Sequence, residues 1–495
     1  MTRMIVEPKR KDSNVVWSRS TQMALAVAVI GAGCILNPTV AWSTSLADAL
    51  RLAYRYNPEI AAERARLRAT DEGVASAMSG YRPTVNGQYS IDNTTVSATG
   101  ADGNTTTRSF TVTLSQPIFR GFQTRNAVNE AEANVRAGQE TLRSTEQDVL
   151  LSAATAYVDV VRDAALVRLR QNNVEFLTRE LKATQDRFQV GEVTRTDVAQ
   201  ARARRAAAVS ALDLARANLK SSRATFVRVV GSQPTRLRAP GSPRRLLPKT
   251  QKEAVDLAIT QNPSVVGALY SEQAARFSVN QLTGQLLPQV NLDASYNVSR
   301  DPDKTETGTV TGTVSIPLYQ AGSVRSDIRA AKHLHVSRIQ EVETARTTAR
   351  ASAISAWSLL QASRAQLISD RAQVDANRIA LEGVREEERV GQRTLLDVLD
   401  AQQELLDAQV SLTTTQRDII VNAYTLLSAV GRLDMLNLGL TRTVYDPDVH
   451  YHKVRRKWFG ISITHRDGRT EHLDVAPARA RKRNSVAKPA KGSHK

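Results

Sequence analysis

Cysteine, aromatic residues and long apolar runs are scarce in this chain of 495 residues. The aromatic share is 5%, which disfavours a single thick core and favours long helices packed through small side chains. The only cysteine is Cys34, so the rest of the chain has no thiol for a disulfide, a nucleophile or a zinc site. No segment after residue 43 is apolar enough for a transmembrane helix, so a membrane crossing would have to use strands.

Sequence motifs of catalysis are missing as well. The chain has no glycine-rich phosphate loop with a lysine, no helix with paired zinc-binding histidines and no serine elbow. His450 and His452 are candidates for a weak metal site, but histidines in a polar tail are usually solvated. We therefore predict a protein that is not an enzyme, with no catalytic residues, no metal site and no cofactor.

Residues 1–43 are typical of a secretory signal peptide. Basic residues precede a short apolar core from Met23 to Leu36, and Ala41-Trp42-Ser43 offers small residues for cleavage. A membrane anchor is the alternative, but the apolar run is short for a span of about 30 Å. Lipidation of Cys34 after Gly31-Ala32-Gly33 is a second alternative, although the leucine usual in that motif is missing.

The net charge of +18 is unevenly distributed. Residues 453–495 carry 13 Lys and Arg against 3 Asp and Glu, and the body of the chain is only mildly basic. Nucleic-acid binding usually places positive charge on a folded face, so we expect no nucleic-acid partner. The basic tail is compatible with anionic lipid headgroups, acids associated with peptidoglycan, an acidic protein or no dedicated partner.

An internal duplication is the main feature of the sequence. Asn57-Pro58 returns as Asn262-Pro263 and Pro83 returns as Pro288, both 205 residues later. Further along, at a shift near 200 residues, the matches are Pro117-Ile118-Phe119 with Pro317-Leu318-Tyr319, Val190-Gly191 with Val390-Gly391, Asp197-Val198 with Asp397-Val398, and Gly231 with Gly431. So many matches in one order indicate two copies of one structural unit.

Each copy begins with the capping signature of a helix, Ser45-x-x-Asp48 in the first and Thr250-x-x-Glu253 in the second. The pattern predicts one helix per copy, ending near Gly80 and Leu286. Alternating apolar and polar residues then predict a strand pair in each copy, long enough to cross a membrane when tilted. The polar stretches 93–107 and 301–308 are predicted as exposed hairpin ends. A soluble hairpin is the alternative interpretation.

Long proline-free segments follow at residues 118–188 and 321–388, each predicted as a helix of roughly 100 Å. Apolar residues recur there every seven positions, for example Val160, Val167, Val174 and Leu181. After each Val-Gly turn, a returning helix has the same spacing. Because a seven-residue stripe requires coiled-coil partners, each copy is predicted to join its strand hairpin to a very long helical hairpin.

Four strands per chain are too few to close a barrel. An open edge in lipid would leave backbone groups unpaired, at a cost of several kcal/mol each, so several chains must share one barrel. Two chains would give a barrel filled by its own side chains, whereas three would leave a lumen. The sequence therefore predicts an oligomer and favours three chains.

With these features the chain resembles the TolC family of outer-membrane efflux proteins over about residues 45–440. The resemblance rests on the paired Asn-Pro sites, on Pro117-Ile-Phe-Arg-Gly121 and Pro317-Leu-Tyr-Gln-Ala-Gly322, and on Val390-Gly-Gln-Arg-Thr-Leu-Leu-Asp-Val-Leu-Asp400. It implies an α+β membrane protein, a homotrimer whose twelve-strand β-barrel in the outer membrane continues into a twelve-helix α-barrel tunnel in the periplasm. It also implies docking to a periplasmic adaptor (membrane fusion) protein and an inner-membrane transporter. Pro117, Gly121, Pro317 and Gly322 would mark the junctions between barrel and helices.

In this family the periplasmic end of the tunnel is closed by inward-coiled helices lined with carboxylates. The matching positions are Asp397 and Asp400, and a threefold ring of such groups would attract cations and slow anions. Asp397 is equally interpretable as the helix cap of Thr394-x-x-Asp397. Asp400 has Gln200 as its counterpart in the first copy, so shared capping does not explain its charge.

The resemblance also implies a latch that holds the tip closed. The predicted surface for the latch or the adaptor comprises Arg393, Gly391, Gly191, Arg195 and Asp197. Candidate partners for Arg393 are acids of the other hairpin, such as Glu192 or Asp197, and a solvated turn arginine is the alternative. The aromatic residue expected three positions before Gly391 is Glu388, so we predict a latch that depends on salt-sensitive ion pairs.

The predicted organisation is a signal peptide (1–43), a first repeat (44–231), a linker (232–249), a second repeat (250–440) and a basic, partly disordered C-terminal extension (441–495). The predicted function is the outer-membrane exit duct of a tripartite efflux or type I secretion system, surrounded by outer-membrane lipid. Small molecules and proteins are both compatible with it as cargo. The rival hypothesis is a trimeric coiled-coil envelope protein without a conducting pore, which would not need two strand pairs at matched places.

Overall fold

The computed structural model describes residues 45–98, 101–235, 237–243, 245–301, 303–441, 443–464 and 470–471. The predicted signal peptide, Cys34 and most of the predicted disordered tail lie outside these residues. The main elements are α1 (Leu46–Tyr56), α2 (Pro58–Met78), β1 (Thr84–Ala98), β2 (Ala101–Arg120), α3 (Gln123–Gln189), α4 (Arg195–Val230), α5 (Gln251–Gln261), α6 (Pro263–Thr283), β3 (Gln289–Asp301), β4 (Asp303–Ser315), α7 (Ser323–Arg389), α8 (Leu395–Ala429), α9 (Asp448–Val454), β5 (Ile463–Thr464) and β6 (Thr470–Glu471). The order of α1 to α4 around β1 and β2 recurs in α5 to α8 around β3 and β4, so each copy has the same plan.

The first helix of each copy is broken at the Asn-Pro pair, and the prediction of one continuous helix is wrong. Asn57 ends α1, and its side chain accepts a hydrogen bond from the amide of Glu59 (2.8 Å). The proline that follows takes the first position of α2, where its missing N–H is not needed. The Asn57 side-chain amide also donates to the carbonyl of Val229 in α4 (3.1 Å), and Asn262 repeats both contacts in the second copy. The Asn-Pro pair therefore joins the broken helix to the end of the returning helix.

The predicted capping signatures are present at both helix starts. Ser45 and Asp48 form a reciprocal capping box at α1. Thr250 accepts from the amide of Glu253, but the Glu253 carboxylate accepts from the amide of Lys249 instead of closing the box. The second cap is therefore half of the predicted motif.

The long helices are confirmed. The helices α3 and α7 have 67 residues each, which corresponds to about 100 Å. Each packs along its returning helix, α4 or α8, and α3 also packs along α6 and α8. Many residues of the predicted seven-residue stripes are buried, among them Val160, Leu212, Phe226, Leu360, Val374, Leu381, Val398, Leu405 and Leu426. Among the described residues, no helix is long and apolar enough to cross a membrane.

The four long strands form one antiparallel sheet in the order β1-β2-β3-β4. These strands have 13 to 20 residues, and the two hairpins end within the stretches 93–107 and 301–308, as predicted. Most residues of these stretches are paired strand, however, and not loop. The reason is cross-strand pairing of threonines, which favour extended backbone, as in the Thr94–Thr105 pair. The strands that each copy contributes are joined through β2 and β3.

The strand β2 also runs further than predicted, because it continues through Pro117 to Arg120 where a helix was expected. Pro117 faces Asn291 of β3, and the register shifts by one residue before Phe119. Such a bulge tolerates a proline that cannot donate to the ladder. In the second copy β4 ends at Ser315, before Pro317. The same motif is therefore a paired strand in one copy and an unpaired segment in the other.

The sheet has one apolar and one polar face. In register across the four strands, the rows of one face are Val85, Leu114, Ala294 and Val310, then Gly87, Val112, Tyr296 and Gly308, then Tyr89, Phe110, Val298 and Glu306. The intervening rows, for example Asn86, Thr113, Ser295 and Thr309, are polar. Adjacent residues of a strand point to opposite faces, so this register keeps the apolar rows together.

The largest core lies beside the middle of the long helices. There α1, described parts of the 231–249 segment and the chain after α8 pack on α3, through residues such as Leu50, Tyr157, Leu246 and Leu433. The Tyr157 hydroxyl donates to the carbonyl of Arg238 (2.9 Å). We call this side of the helices the covered face, because these segments lie on it.

Each junction between strand and long helix contains two consecutive residues with left-handed backbone. They are Gly121 (φ 56°) and Phe122 (φ 61°) in the first copy, and Ala321 (φ 49°) and Gly322 (φ 82°) in the second. A Cβ at Gly121 would overlap the carbonyl oxygen of Gly284, so the first junction touches the start of the turn before β3. Glycine at 121 is therefore required by close backbone approach as well as by its φ.

Replacing Gly121 by alanine is expected to destabilise the fold more than the same change at Gly439. Both glycines have positive φ, so both alanines meet a backbone strain of roughly 1–2 kcal/mol. Only Gly121 adds the overlap with Gly284, worth about 1–3 kcal/mol, because the space around Gly439 is open. Guanidinium unfolding followed by circular dichroism compares the two variants, and equal losses would show that the close approach carries no energy.

Candidate functional site

The tips of the two helical hairpins share one turn geometry. Gly191 and Gly391 both have φ near 80°, and a Cβ at either position would meet open space. The Gly191 amide donates to the carbonyl of Phe188 (3.1 Å), and the Gly391 amide donates to that of Glu388 (3.0 Å). Glycine is thus needed here for its backbone conformation, which reverses the chain between long and returning helix.

Reciprocal capping boxes start both returning helices. The Asp397 carboxylate accepts from the amide (2.9 Å) and the hydroxyl (2.8 Å) of Thr394, which accepts in turn from the Asp397 amide (3.3 Å). Thr194 and Asp197 repeat the arrangement in the first copy. The backbone and hydroxyl bonds from Thr394 hold the pKa of Asp397 below its usual value. The capping interpretation of Asp397 is therefore confirmed, and its place in a pore stays a prediction.

Asp400 lies one turn further along α8 and is exposed. Its carboxylate bonds to the Arg204 guanidinium of the first copy's returning helix, with Nη2 to Oδ1 at 2.5 Å. This contact links the two hairpins of one chain near their tips. The contact with Arg204 gives the negative charge of Asp400 a structural role. Its counterpart in the first copy, Gln200, is uncharged and forms no ion pair of this kind.

Two further ion pairs cross between the hairpins. Arg187 of α3 binds Glu388 of α7 (2.5 Å), and Glu180 of α3 lies 3.6 Å from Arg385 of α7. The hydrogen bond that Arg187 donates to Glu388 raises the pKa of Arg187, so this guanidinium stays charged. The substitution of Glu388 for an aromatic residue, noted in the sequence, is therefore matched by an arginine opposite.

An apolar cluster from both copies lies beneath these ion pairs. Its buried members are Phe176, Leu177, Ala208, Val374, Leu381, Val398, Leu399, Leu405 and Ala408. Arg385 stacks over the Phe176 ring, with 4.8 Å from Cζ to the ring centroid. The two hairpins of one chain are thus packed together near the tips, with charge pairs at the surface and apolar contacts inside.

Arg393 does not contact Glu192 or Asp197 in the described chain. Its Nε donates to Glu387 of the same hairpin (2.9 Å), and this bond raises the pKa of Arg393. Glu387 lies six residues earlier, directly across the turn, so it is the nearest acid. Arg195, the first residue of α4, is exposed at the other tip. The predicted partners of Arg393 within the chain are therefore wrong.

Sequence reasoning missed the arginines of the cross-hairpin pairs, although a signal was present. The partners are 201, 196 and 205 residues apart for Arg187–Glu388, Arg204–Asp400 and Glu180–Arg385. These separations are close to the repeat shift. When two copies of a hairpin pack side by side, equivalent positions meet, so opposite charges about one repeat apart were candidates for pairing.

Groups of metal ligands do not occur in the part of the chain that the structure describes: no three His, Cys, Asp or Glu side chains converge there. Of the two histidines considered for a weak metal site, His450 instead contacts the buried Asp71, with Nδ1 to Oδ2 at 2.8 Å. Burial raises the pKa of Asp71 despite this contact. This pair fastens the C-terminal segment to α2.

Comparison with known proteins gives consistent matches. Residues 49–232 and 254–432 match the protein family described as outer membrane efflux protein. Outer membrane efflux protein BepC of Brucella suis is 40% identical over 451 residues, covering 90% of this chain and 97% of BepC. Outer membrane protein TolC of Escherichia coli is 27% identical over 423 residues, covering 80% and 85%.

A solved structure has the same fold. The Campylobacter jejuni CmeC outer membrane channel aligns with a TM-score of 0.72 at 15% identity, covering 83% of this chain and 89% of the channel. At this identity the likeness concerns the fold alone. Residues 49–232 and 254–432, which match the family, include both long helical hairpins and their tips.

Proposed function

The chain belongs to the outer membrane efflux protein family, the TolC family, and from this we propose that three copies form one duct gated at its hairpin tips. Relatives of the chain include efflux proteins and an alkaline protease secretion protein. The chain is accordingly an outer-membrane exit duct of a tripartite efflux or type I secretion system. Its family consists of transport channels, which sets aside the rival of a pore-free structural protein.

The sheet supports assembly through its two free edges. Within the chain, β2 of the first copy pairs with β3 of the second. The second strand of one hairpin therefore pairs with the first strand of the next hairpin. Because β4 is the equivalent of β2, its outer edge is complementary to β1 of another chain. In the β2–β3 contact, Thr113 faces Ser295. The equivalent of Thr113 in β4 is Thr313, and the equivalent of Ser295 in β1 is Ser90. The same register between chains therefore places Thr313 opposite Ser90 of the next chain. This observation carries the proposal.

The asymmetry of the two junctions supports the same contact. Residues after Pro117 are paired to β3, whereas residues after Pro317 are unpaired in the single chain. There Leu318 is 89% and Tyr319 is 83% exposed. A neighbouring chain that supplies β1 would cover them, since the transferred register brings Tyr319 opposite Val85. With three chains the ring has twelve strands, enough for a lumen.

Exposed apolar residues on the sheet give it a lipid face. Val85, Tyr89 and Val310 are all more than half exposed in the single chain, on the face with the apolar rows. Large exposed apolar surfaces require a partner, and outer-membrane lipid matches an apolar band on strands. The polar rows then line the lumen, and the long helices extend into the periplasm.

The hairpin tips are proposed as the gate and as the surface for the adaptor. The cross-hairpin ion pairs hold the tips together, and the carboxylates of Asp397 and Asp400 lie on adjacent turns of α8. Arg393, Gly391, Gly191, Arg195 and Asp197 complete the end surface that a periplasmic adaptor would meet. Because the sequence contains no phosphate loop, an inner-membrane transporter is proposed as the source of energy.

The cation preference of the mouth is expected to persist under acid conditions in which a free aspartate would already be neutral. Hydrogen bonds from Thr394 lower the pKa of Asp397 from 3.8, so its charge and its contribution to the cap are present above that value. Both are lost only as the pH falls through the lowered pKa. Thr394→Val removes the hydroxyl bond but keeps the backbone amide bond, so reversal potentials between pH 5 and 3 are expected to show its cation preference falling at a slightly higher pH than in the wild type. A wild-type preference that falls at the pH of a free aspartate would contradict the lowered pKa.

Cysteine cross-linking tests the proposed assembly. Ser90→Cys with Thr313→Cys is expected to give covalent trimers on oxidation, because the two cysteines face each other across the contact between chains. Ser90→Cys with Thr309→Cys is the matched control, since Thr309 lies about 13 Å further along the strand. Cross-linking of the control alone, or dimers as the end product, would contradict the proposed register or the ring of three.

A further inference from the structure

Residues 443–463 form a segment, here called the C-terminal strap, that lies along α2 and α3. Tyr445 covers the Arg64 guanidinium (4.7 Å to the ring centroid), His450 bonds to Asp71, and the Lys457 carbonyl accepts from Arg82 (2.8 Å). Successive strap residues thus meet successive residues of α2 and of the turn after it. The strap runs from the covered face toward the sheet.

Contacts to α3 support the same direction. The Gln139 amide donates to Asp448 (2.8 Å), and Glu132 accepts from Tyr451 (3.1 Å) and pairs with Arg455 (2.8 Å). Since α3 starts at the sheet, contacts that move from Gln139 to Glu132 approach the sheet. The strap contains α9, and its last residue, Ile463, begins β5.

The end of the strap exposes large apolar side chains beside basic ones. Trp458 is 58% exposed, Phe459 87% and Ile461 54%. They follow Arg455, Arg456 and Lys457, and the Arg82 guanidinium lies 4.7 Å from the Trp458 ring centroid. Large aromatic side chains that are held in place but left exposed to water gain no stabilisation from burial, so this cluster needs a partner that covers it. Aromatic rings beside Lys and Arg are typical of the interface between lipid tails and headgroups.

The position of this cluster matches the border of the lipid face. Arg82 lies three residues before Val85, where the apolar rows of β1 begin. At about 3.3 Å per residue this separation is about 10 Å, comparable to the thickness of a headgroup layer. The aromatic cluster therefore lies at the level where lipid tails give way to the periplasmic headgroups.

The proposed function, on which this inference rests, decides whether the strap lies on the inner or the outer surface of the tunnel. The strap continues from the covered face, where α1 and the 231–249 segment also lie. If that face were turned to the lumen, three copies of these segments would obstruct the duct. The covered face, and the strap with it, is therefore the outer surface of the tunnel.

We propose that the C-terminal strap docks onto the periplasmic leaflet of the outer membrane and braces the tunnel against it. Trp458 and Phe459 insert between phospholipid headgroups, and Arg455, Arg456 and Lys457 bind their phosphates. Residues 453–495 carry 13 Lys and Arg in total, so the sequence around these three residues is strongly basic. The binding surface is thus specific to the strap and independent of the β-sheet contact with lipid tails.

Brominated lipids test the strap at a single residue, since bromine quenches only tryptophans that it touches. A full-length variant with Trp17, Trp42 and Trp357 replaced by Phe keeps only Trp458. Its control keeps only Trp357, which lies in α7 about 50 Å from the start of that helix. In nanodiscs of phosphatidylcholine with phosphatidylglycerol, headgroup-proximal bromination is expected to lower Trp458 emission about twofold and leave Trp357 emission unchanged.

Two further comparisons make the outcome decisive. Arg82→Gln in the Trp458-only protein removes the bond to Lys457 and is expected to reduce the quenching. Equal quenching of Trp458 and Trp357 would overturn the proposal, as would a Trp458 response to soluble peptidoglycan fragments and none to brominated lipid. The Ser90–Thr313 cross-link on the same nanodiscs reports whether the trimer formed, so a failed strap is distinguished from a failed duct.

Discussion

Replacing Arg187, Arg204 and Arg385 together by glutamine is expected to open the tips and raise single-channel conductance several-fold. Each of these residues pairs with an acid of the other hairpin, at 2.5, 2.5 and 3.6 Å. An exposed pair contributes only about 0.2–1 kcal/mol, so single variants are expected to show small effects. Three pairs in each of three chains sum to roughly 2–9 kcal/mol if they add, enough to shift a closed population toward an open one.

A matched control removes the same charge without touching the contact between hairpins. Arg216, Arg346 and Arg378 pair with acids three residues away in their own helices, at 3.2, 2.6 and 3.4 Å. Their triple glutamine variant is expected to conduct like the wild type. Exchanging the partners of all three pairs, so that each arginine becomes glutamate and each facing acid becomes arginine, is expected to keep the closed state. A fall in conductance in the first variant would show that the pairs hold the open state instead.

Replacing Asp397 and Asp400 by asparagine is expected to abolish the cation preference of the duct. The change removes two carboxylates per chain from the mouth and leaves the arginines of the tips in place. Without the acids, the Arg204 guanidinium loses its carboxylate partner and, with the exposed Arg195, favours anions, so the reversal potential in a potassium chloride gradient should move toward that of chloride. An unchanged reversal potential would place the selective part of the duct elsewhere.

Arg204→Gln separates selectivity from gating at this site. That variant breaks the bond to Asp400 but keeps the carboxylate, whereas Asp400→Asn removes both. If the ring of carboxylates selects ions, only the asparagine variant loses cation preference. If both variants behave alike, the role of Asp400 is confined to its ion pair with Arg204.

Much of the fold was predictable because the spacing of a few residues reveals the duplication. The Asn-Pro pairs, the Val-Gly turns and the seven-residue stripes recur at matched places, and each has a local physical cause. The residues at which strands end and helices begin were harder to predict from the sequence. Whether Arg120 belongs to a strand depends on its partner in β3, which lies far away in the sequence. Pairing of this kind overrides the local expectation that a helix begins after Pro117.

The tips illustrate the same division between local and distant contacts. The capping boxes of Thr194 and Thr394 follow from four consecutive residues and were predictable. The partner of Arg393 was misassigned, because the nearest acid is set by the geometry of the turn. The strap was also missed: the contact of His450 with Asp71 joins residues 379 apart and has no signature in the repeat.

Single-channel recording of the wild-type protein in a planar bilayer tests the central claim most directly. A gated duct predicts discrete, cation-selective openings of small conductance at low salt. As salt rises and screens the cross-hairpin ion pairs, the conductance should grow more steeply than the conductivity of the solution. A correctly folded, cross-linkable trimer that leaves the bilayer silent at every salt concentration would contradict the account.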